Sequence, residues 1–506
     1  MAAPTQYPFS LNDPRSKADR EAGIYHWTPD IKNLSERDQE LNYQLSGLDD
    51  LNTENPVVKR ALRDSYAHWI KEAGVDGFRV DTIFYVPPEL MTDFMYSKDP
   101  KAPGIAEIAR RTGRENFHVF GEGFGMDRRF EDKVARRANS YMVGPQGEAR
   151  SPGMINFPLY GTATDVFARG RPPAELAYRI ENMMALHQRP HLMPTFLDNH
   201  DVDRFLSGGT ETGLRQNLLM MMTLPGIPVI YYGTEQGFTV QRAAMFANGW
   251  GSGGRDHFDT TSPLYRYIAS LTKLRRENRV LSRGAPKVLA GEAAGAGALV
   301  YLMQDGGETL LVAMNTADHP VLLDNLELGQ AAGTVLQPLF AMDGKAPLLV
   351  VGQNKRLTTE LGAQTGAVWR VTKAPPLSLK AAASGLRLDP LPSGPITEPT
   401  LKVSGQASPG EMVKLVLDGN LGDAQAIQAD ATGRWQAKIS TAAFVDETIT
   451  HRVTAYSAKS GQATEAGTFK VRPSWSLRND ITDPADDDTG PPGSAYAYPT
   501  DPSFEP

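Results

Sequence analysis

Three short peptides constrain this chain most, because in each a strand-like apolar run is followed by a carboxylate. The runs and their carboxylates are 75–80 with Asp81, 117–120 with Glu122, and 192–197 with Asp201. The stretches between them are long enough to hold helices. Parallel strands that alternate with helices bring the carboxyl ends of the strands to one face of a β/α barrel, where active sites form. The pattern therefore predicts a (β/α)8 TIM barrel with an acidic active site.

Composition narrows the choice of ligand. The chain has 52 Lys and Arg against 59 Asp and Glu, a formal net charge of −7, and no basic tract. This argues against nucleic acid or an anionic membrane as a partner and favours a neutral ligand. The absence of cysteine excludes a disulfide framework and a thiol nucleophile. No apolar run reaches membrane-spanning length, and residues 1–13 lack the pattern of a signal peptide.

The 506 residues are enough for several domains. Strands are predicted at 154–160 and 227–232, and helices at 56–73, 174–187, 213–224 and 263–281. After residue 283, short β-branched segments separated by turn residues predict antiparallel sheets. The predicted segments are an insert at 1–55, the barrel portion at 56–283, an all-β domain at 284–373, a linker at 374–387, an immunoglobulin-like β-sandwich at 388–472, and a disordered tail or the start of another β-module at 473–506.

The three carboxylates suit the cleavage of a glycosidic bond with retention, which needs a nucleophile and an acid/base about 5 Å apart. Asp81 lies two residues after Arg79, whose guanidinium would keep it ionised. Glu122, between two glycines, suits the acid, and Asp201 could stabilise a positive transition state. Taken singly, these motifs are an ordinary ion pair, a turn and a helix cap. Their order, each at a strand end, favours catalysis.

The peptides GFRVDT (77–82), GEGF (121–124) and FLDNHD (196–201) resemble the second, third and fourth conserved regions of the α-amylase family, glycoside hydrolase family 13. GIPVIYYGTE (226–235) resembles the eighth strand of that family and the loop that follows it. GLDDLNTENP (47–56) resembles the end of its inserted domain B. The resemblance extends over residues 25–373 and includes the β-domain C that follows the barrel in this family.

The resemblance implies a role for each matching position. Asp81 would be the nucleophile, Glu122 the acid/base and Asp201 the transition-state stabiliser, with Arg79 and His200 as contacts in the cleavage subsite. It also implies a structural calcium ion, for which Asp50 is the one ligand that can be named; the alternative for Asp50 is a turn residue. Aromatic residues suited to stacking on glucose are Tyr85, Tyr231, Tyr232 and Trp250, although core or loop packing is the commoner role of such rings.

Two features depart from the family pattern. Phe84 and Tyr85 replace a Lys-His pair that many members carry after the nucleophile, so sugar contacts there would be stacking rather than hydrogen bonding. The first conserved region has no counterpart, and about five barrel strands can be counted. We therefore expect an N-terminally incomplete barrel, because closure of the family's barrel uses eight strands.

The sequence thus predicts a retaining glycosidase acting on α-1,4-glucans such as starch or maltodextrin. The alternatives are a transglycosylase, an α-glucosidase or a debranching enzyme on the same scaffold, or an inactive carbohydrate-binding fragment. The domain content is typical of bacterial extracellular or cell-surface proteins. The expected partner is an α-glucan, with no nucleic acid and no membrane span, and the expected state is a monomer.

Overall fold

The computed structural model describes residues 4–378 and 385–472. Its helices are α1 Lys17–Ala22, α2 Arg37–Asn42, α3 Pro56–His68, α4 Glu89–Tyr96, α5 Ile105–Arg111, α6 Lys133–Ser140, α7 Phe157–Arg169, α8 Pro173–Leu186, α9 Phe205–Gly208, α10 Glu211–Thr223, α11 Pro263–Glu277 and α12 Val280–Arg283. A π-helical turn, Trp69–Ala73, extends α3, and 3₁₀ turns occur at Ile83–Tyr85, Pro190–Leu192 and Thr234–Gln236.

The strands fall into a short early group and a longer late group. The early strands are β1 Gly77–Val80, β2 His118–Gly121, β3 Gly153–Met154, β4 Pro194–Thr195 and β5 Ile227–Pro228. The later strands are β6 Ala285–Gly291, β7 Ala298–Asp305, β8 Glu308–Asn315, β9 Val321–Leu326, β10 Val335–Ala341, β11 Leu349–Val350, β12 Leu357–Leu361, β13 Thr365–Val371, β14 Arg387–Leu388, β15 Thr400–Gln406, β16 Met412–Leu417, β17 Asn420–Gln428, β18 Arg434–Ser440, β19 His451–Ser457, β20 Gln462–Ala463 and β21 Gly467–Phe469.

The four predicted helices are confirmed, but the predicted strand at 154–160 is wrong beyond Met154. Helix α7 begins at Phe157, and its first turn is buried. A short, mostly apolar run is compatible with a buried strand and with a buried helix, so periodicity could not separate the two. The runs at 192–197 and 227–232 form strands of only two residues each.

The chain divides into two compact units. Within the described residues, the first comprises 4–127, 132–158 and 185–195, and the second 128–131, 159–184, 196–378 and 385–472. In the first unit β1, β2 and β3 form a parallel sheet in that order, with β1 at its edge and Val80 opposite Gly121. Helices α3, α4 and α5 cover it through a core that includes Ile70, Phe94 and Ile105. This alternation is the predicted β/α pattern.

Residues 4–55 pack against the rest of the first unit although their sequence is mostly polar. Ile24 and Tyr25 pack on Val58 of α3 in a small apolar cluster. Arg37 of α2 donates from Nη1 to Glu40 at 2.6 Å and to the Phe84 carbonyl at 2.8 Å. The insert is therefore held next to the segment that follows Asp81.

In the second unit, both faces of one antiparallel sheet are buried. The sheet order is β11-β10-β13-β8-β7-β6. On β7, Tyr301 faces the helical core with Leu299 and Met303, whereas Val300 and Leu302 face a second core shared with β9 and β12. Successive side chains of a strand point to opposite faces, so a fully apolar run indicates burial on both.

The last strands form two facing sheets around one core. Strands β14, β15 and β18 make one sheet, and β17, β16, β19 and β20 make the other, with β21 beside β19. The second sheet continues into β9, since Asn420 pairs with Val321. Next to this junction, Asp324 accepts from Arg452 Nη1 at 2.6 Å and from Thr454 Oγ1 at 2.7 Å. The sandwich is thus joined to the preceding β-domain by the pairing of β17 with β9 and by the ion pair of Arg452 with Asp324.

The predicted tail at 473–506 lies outside the described residues. Among residues 4–378 and 385–472, the helices are too short or too polar to cross a membrane.

Candidate active site

The first unit places Asp81 and Glu122 at the ends of neighbouring strands. Val80 and Gly121 are register partners, and the two carboxylates follow them directly. The backbone continues this pairing beyond the strands, because Glu122 N donates to the Val80 carbonyl at 2.7 Å and Ile83 N to the Glu122 carbonyl at 2.8 Å. The predicted pair of carboxylates therefore lies at the carboxyl ends of two neighbouring strands in one parallel sheet.

The glycines around Glu122 have a steric reason. A Cβ at Gly121 would lie 2.5 Å from the Ile83 side chain, and a Cβ at Gly123 would lie 2.5 Å from the Phe84 ring. Real Cβ atoms do not approach that closely, so only glycine fits at both positions. The two glycines thus allow Glu122 to lie close to the residues that follow Asp81. Glu122 Oε2 accepts there from Thr82 N at 3.0 Å.

The two carboxylates differ in environment. The Asp81 side chain is 68% exposed and accepts from Arg79 Nη1 at 2.7 Å. Glu122 is only 5% exposed. Desolvation disfavours a charged carboxylate, whereas an adjacent guanidinium favours it. The structure therefore places an exposed carboxylate that is bonded to a guanidinium beside a buried carboxyl group.

Phe84 and Tyr85, which were predicted to stack on sugar, differ in burial. Phe84 is 3% exposed, with its ring 5.3 Å from that of Tyr141 and 4.0 Å beneath the Arg137 guanidinium. Its predicted contact with sugar is therefore wrong, since the ring is used in packing. Tyr85, the next residue, is half-buried on the same 3₁₀ turn.

The second unit holds His200 and Asp201. The Asn199 side chain accepts from Asp201 N at 2.7 Å and from Val202 N at 3.1 Å, which makes a tight turn rather than a helix cap. His200 Nε2 lies 3.0 Å from Asp201 Oδ2, and both side chains remain partly exposed. The turn therefore presents an imidazole and a carboxylate side by side.

Beneath this turn lies a buried ion pair that the sequence interpretation does not include. Arg204 is fully buried, with Nη1 at 3.9 Å from Asp198 Oδ2 and Nη2 donating to the Tyr232 carbonyl at 2.6 Å. Its guanidinium lies 4.0 Å from the centre of the Tyr231 ring. Burial raises the pKa of Asp198 and lowers that of Arg204. The pair joins the Asn-His-Asp turn to the loop after β5, and no local sequence pattern marks it.

A second arginine borders the turn. Arg242 Nε donates to the His200 carbonyl at 3.0 Å, and its Nη2 lies 3.6 Å from Asp201 Oδ1. Tyr231 is half-buried under Arg204, and burial together with a hydrogen bond to Tyr232 raises its pKa to about 12. Trp250, in contrast, is 71% exposed. Of these predicted aromatic contacts, Trp250 is the one most available to a ligand.

The residues around Asp50 do not by themselves suit calcium. Asp50 Oδ2 lies 2.5 Å from His26 Nδ1, and His26 Nε2 lies 3.5 Å from Glu54. Calcium takes six to eight oxygen ligands, whereas this carboxylate is engaged by a ring nitrogen. Within the described ranges 4–378 and 385–472, no group of three or more Asp, Glu, His or Cys side chains is arranged to hold a metal ion. Calcium at Asp50 stays a prediction.

Comparison with known proteins gives the same family as the motifs. The profile of the α-amylase catalytic domain matches residues 26–249. An α-amylase of Streptomyces lividans is 27% identical over 490 residues, covering 88% of this chain and 47% of that protein. A cyclomaltodextrin glucanotransferase of Klebsiella oxytoca is 26% identical over 340 residues, covering 61% of this chain and 49% of the relative. The chain thus spans about half the length of these two relatives.

Two solved structures extend the comparison to the fold. An α-amylase of Anoxybacillus superposes with a TM-score of 0.56 at 25% identity, covering 71% of this chain and 73% of that one. The α-amylase of Geobacillus thermoleovorans, complexed with acarbose, gives 0.57 at 24% identity, covering 72% and 74%. The fold is therefore of the α-amylase type, a β/α barrel followed by antiparallel β domains. Over residues 26–249 the chain is thus similar to the catalytic domain of the α-amylase family, glycoside hydrolase family 13.

Proposed function

We propose that this chain is a retaining glycosidase acting on the α-1,4 bonds of starch- or maltodextrin-type glucans. The observation that carries the proposal is the pair Asp81 and Glu122 after register partners of adjacent parallel strands. Neighbouring strands lie about 4.8 Å apart. That spacing is compatible with the roughly 5–5.5 Å between the carboxyl groups of a retaining enzyme and is short for an inverting one.

The proposed reaction has two steps. Asp81 attacks the anomeric carbon while Glu122 donates a proton to the departing glycosidic oxygen, so the bond to the leaving sugar breaks and a glycosyl ester forms. Glu122, now ionised, then takes a proton from water, which attacks the ester and releases Asp81. Arg79, bonded to Asp81, would orient the nucleophile. Asp201 and His200 are proposed as stabiliser and sugar contact on the family resemblance.

Transglycosylation is the second candidate, because cyclomaltodextrin glucanotransferases are among the relatives. The first step would be the same, but a sugar hydroxyl instead of water would attack the glycosyl ester. Chromatography of products from maltoheptaose separates the two: shorter linear sugars indicate hydrolysis, and longer or cyclic sugars indicate transfer.

The test is substitution of each carboxyl group by its amide. Asp81→Asn should lower turnover of maltoheptaose by about 10⁴-fold or more, because an amide forms no glycosyl ester. Glu122→Gln should lose most activity on maltoheptaose but much less on an aryl maltoside whose leaving group needs little protonation. Asp76→Asn is the matched control, since Asp76 precedes the opposite end of β1 and pairs with Arg114.

Three results would contradict the proposal. Substantial turnover by a folded Asp81→Asn variant would remove Asp81 as nucleophile. Equal losses of Glu122→Gln on both substrates would remove the acid role. A parent chain that binds maltoheptaose and converts none of it would favour the carbohydrate-binding alternative.

A further inference from the structure

A cavity opens between the two sheets of the β-sandwich, next to the turn that joins β16 to β17; it is here called the sandwich cavity. It encloses about 180 Å³. Leu415 and Leu417 of β16 and Ile439 of β18 form its apolar wall. For comparison, an apolar cavity of about 150 Å³ holds benzene, which has about six heavy atoms. The sandwich cavity is therefore large enough for a small organic group.

The rest of the lining is polar, although part of it lies on the core face of β17. Cross-strand partners lie on the same face of a sheet. Leu415 is paired with Gln425, and Leu417 with Asn420. Leu415 is 3% exposed and belongs to the core of the sandwich. Inner faces of a sandwich usually supply the core, so the two amides replace apolar contacts at this end and leave a polar opening.

Two carboxylates line the same cavity and are held in place by hydrogen bonds. Asp418 Oδ2 lies 2.8 Å from His451 Nδ1, and Asp418 Oδ1 accepts from Arg452 N at 2.8 Å. Asp423 Oδ2 accepts from Asn420 Nδ2 at 3.1 Å. An ionised carboxylate offers about four acceptor sites, so both groups can accept further bonds. Groups fixed before binding lower the entropy cost of holding a ligand.

The negative charge of these carboxylates is only partly compensated. The Arg452 guanidinium is engaged elsewhere, at 2.6 Å from Asp324 and 3.6 Å from Glu292. Burial lowers the pKa of Arg452, but those two carboxylates outweigh burial and raise it. In the described part of the chain Asp423 forms no ion pair, and its partner Asn420 is neutral. The cavity therefore favours a positively charged ligand.

The lysines of the neighbouring strands do not supply that charge. Lys414 immediately precedes Leu415, and Lys438 immediately precedes Ile439. Successive side chains of a strand point to opposite faces. Both lysine side chains therefore leave from the outer faces of their sheets, away from the cavity.

We propose that the sandwich cavity binds an alkylammonium group, the chemistry of a lysine side chain. The methylene stem would lie on the apolar wall, and the ammonium would donate to Asp418 and Asp423. An ammonium has three donors and no acceptor, which suits carboxylates. The lining residues that the structure describes include no aromatic ring to pack on the face of a sugar. Such a site is independent of the proposed glycosidase activity.

The test is methyl NMR of the full chain, labelled at Leu and Ile methyl groups and titrated with n-pentylammonium chloride at constant ionic strength. The signals of Leu415, Leu417 and Ile439 should shift and saturate. 1-Pentanol has the same stem without the charge and should bind about 10-fold more weakly. Asp423→Asn should weaken pentylammonium binding by about 5–10-fold and leave 1-pentanol binding unchanged. Asp430→Asn is the matched control, because Asp430 is an exposed aspartate on the turn after β17, and it should change neither affinity.

A second ligand separates a free amine from a lysine on a protein partner. Nα-acetyl-lysine N-methylamide carries the same ammonium on a peptide unit. Tighter binding of this compound than of pentylammonium would support a protein partner, and the reverse order would support a free amine.

Four results would overturn the proposal. The first is the absence of a saturating shift at the three wall residues in a folded chain. The second is equal affinity for 1-pentanol and pentylammonium, since the carboxylates would then not select charge. The third is an equal loss of affinity in Asp423→Asn and Asp430→Asn. The fourth is a shift of these signals by maltose and not by pentylammonium, which would assign the cavity to a sugar. Asp81→Asn should bind pentylammonium as the parent does, whatever its effect on hydrolysis.

Discussion

The buried pair of Arg204 and Asp198 provides a test of what holds the Asn-His-Asp turn in place. Arg204→Met keeps an unbranched apolar stem but removes the guanidinium, which bonds the Tyr232 carbonyl at 2.6 Å and covers the Tyr231 ring. Asp198 would keep only its bonds from Thr234 Oγ1, at 3.0 Å, and from Phe205 N, at 3.2 Å. A carboxylate would then be buried without its counter-ion.

The size of the effect follows from that unpaired charge. Removing one partner of a buried ion pair costs about 3–5 kcal/mol. Domains have net stabilities of about 5–15 kcal/mol, so the variant should fold but unfold more easily. With a denaturant slope of about 1–3 kcal/mol per molar urea, the midpoint should fall by about 1–5 M. The double variant Arg204→Met/Asp198→Asn should recover part of the loss, because neither charge remains.

The pH dependence gives a second readout. Burial raises the pKa of Asp198, so its folded form holds a proton more tightly than the unfolded chain does. The stability that this protonation contributes is present below about pH 3.9, the usual aspartate value, and is lost as the pH rises through the folded pKa. The loss in Arg204→Met should therefore be largest at neutral pH and shrink on acidification.

The assay is urea unfolding followed by near-ultraviolet circular dichroism, with hydrogen exchange of peptides from 226–240 as the local probe. Arg215→Met is the matched control. Arg215 also pairs with a carboxylate, Glu211, and lies 5.0 Å from a tyrosine ring, but on the surface of α10. Its loss should stay below about 1 kcal/mol. A similar small loss for Arg204→Met, or no recovery in the double variant, would refute the reasoning.

Three further perturbations test other parts of the chain. A hydrogen bond from His26 to Asp50 raises the pKa of His26. The stability lost in Asp50→Asn should therefore be greatest below about pH 6.5 and should vanish as the pH rises through the raised pKa. A pH-independent difference in melting temperature between the variant and the parent would contradict this. If Asp50 binds calcium, a chelator should lower the melting temperature of the parent and not that of Asp50→Ala; no shift in the parent removes calcium. Asp324→Ala removes the acceptor of bonds from Arg452 and Thr454, while Arg452 keeps Glu292 at 3.6 Å. The variant should lose about 1–3 kcal/mol and should split calorimetric unfolding of the β-domain from that of the sandwich; one unchanged transition would show that the junction does not depend on this ion pair.

Much of the fold could be predicted because its signals are local. Helices α3, α8, α10 and α11 carry apolar residues at helical spacing, and most of the late strands are bounded by turn residues. Failures occur where the signal is ambiguous. Residues 157–160 are all apolar, which fits a buried strand as well as a buried helix. Only the packing around α7 selects the helix. The strands β4 and β5 are two residues long and, within the described residues, pair only with each other. An apolar run does not show how many of its residues find a hydrogen-bonded partner strand.

The sequence by itself determined which carboxylates to consider for the candidate site, because Asp81, Glu122 and Asp201 each follow an apolar run within a specific peptide. Only the tertiary structure decided which ring is free: Phe84 and Trp250 are both aromatic residues near predicted motifs, but one is buried under Arg137 and the other is exposed. It also decided that Arg204 is buried against Asp198. Burial and ion pairing depend on residues distant along the chain, and no local pattern of side chains contains that information.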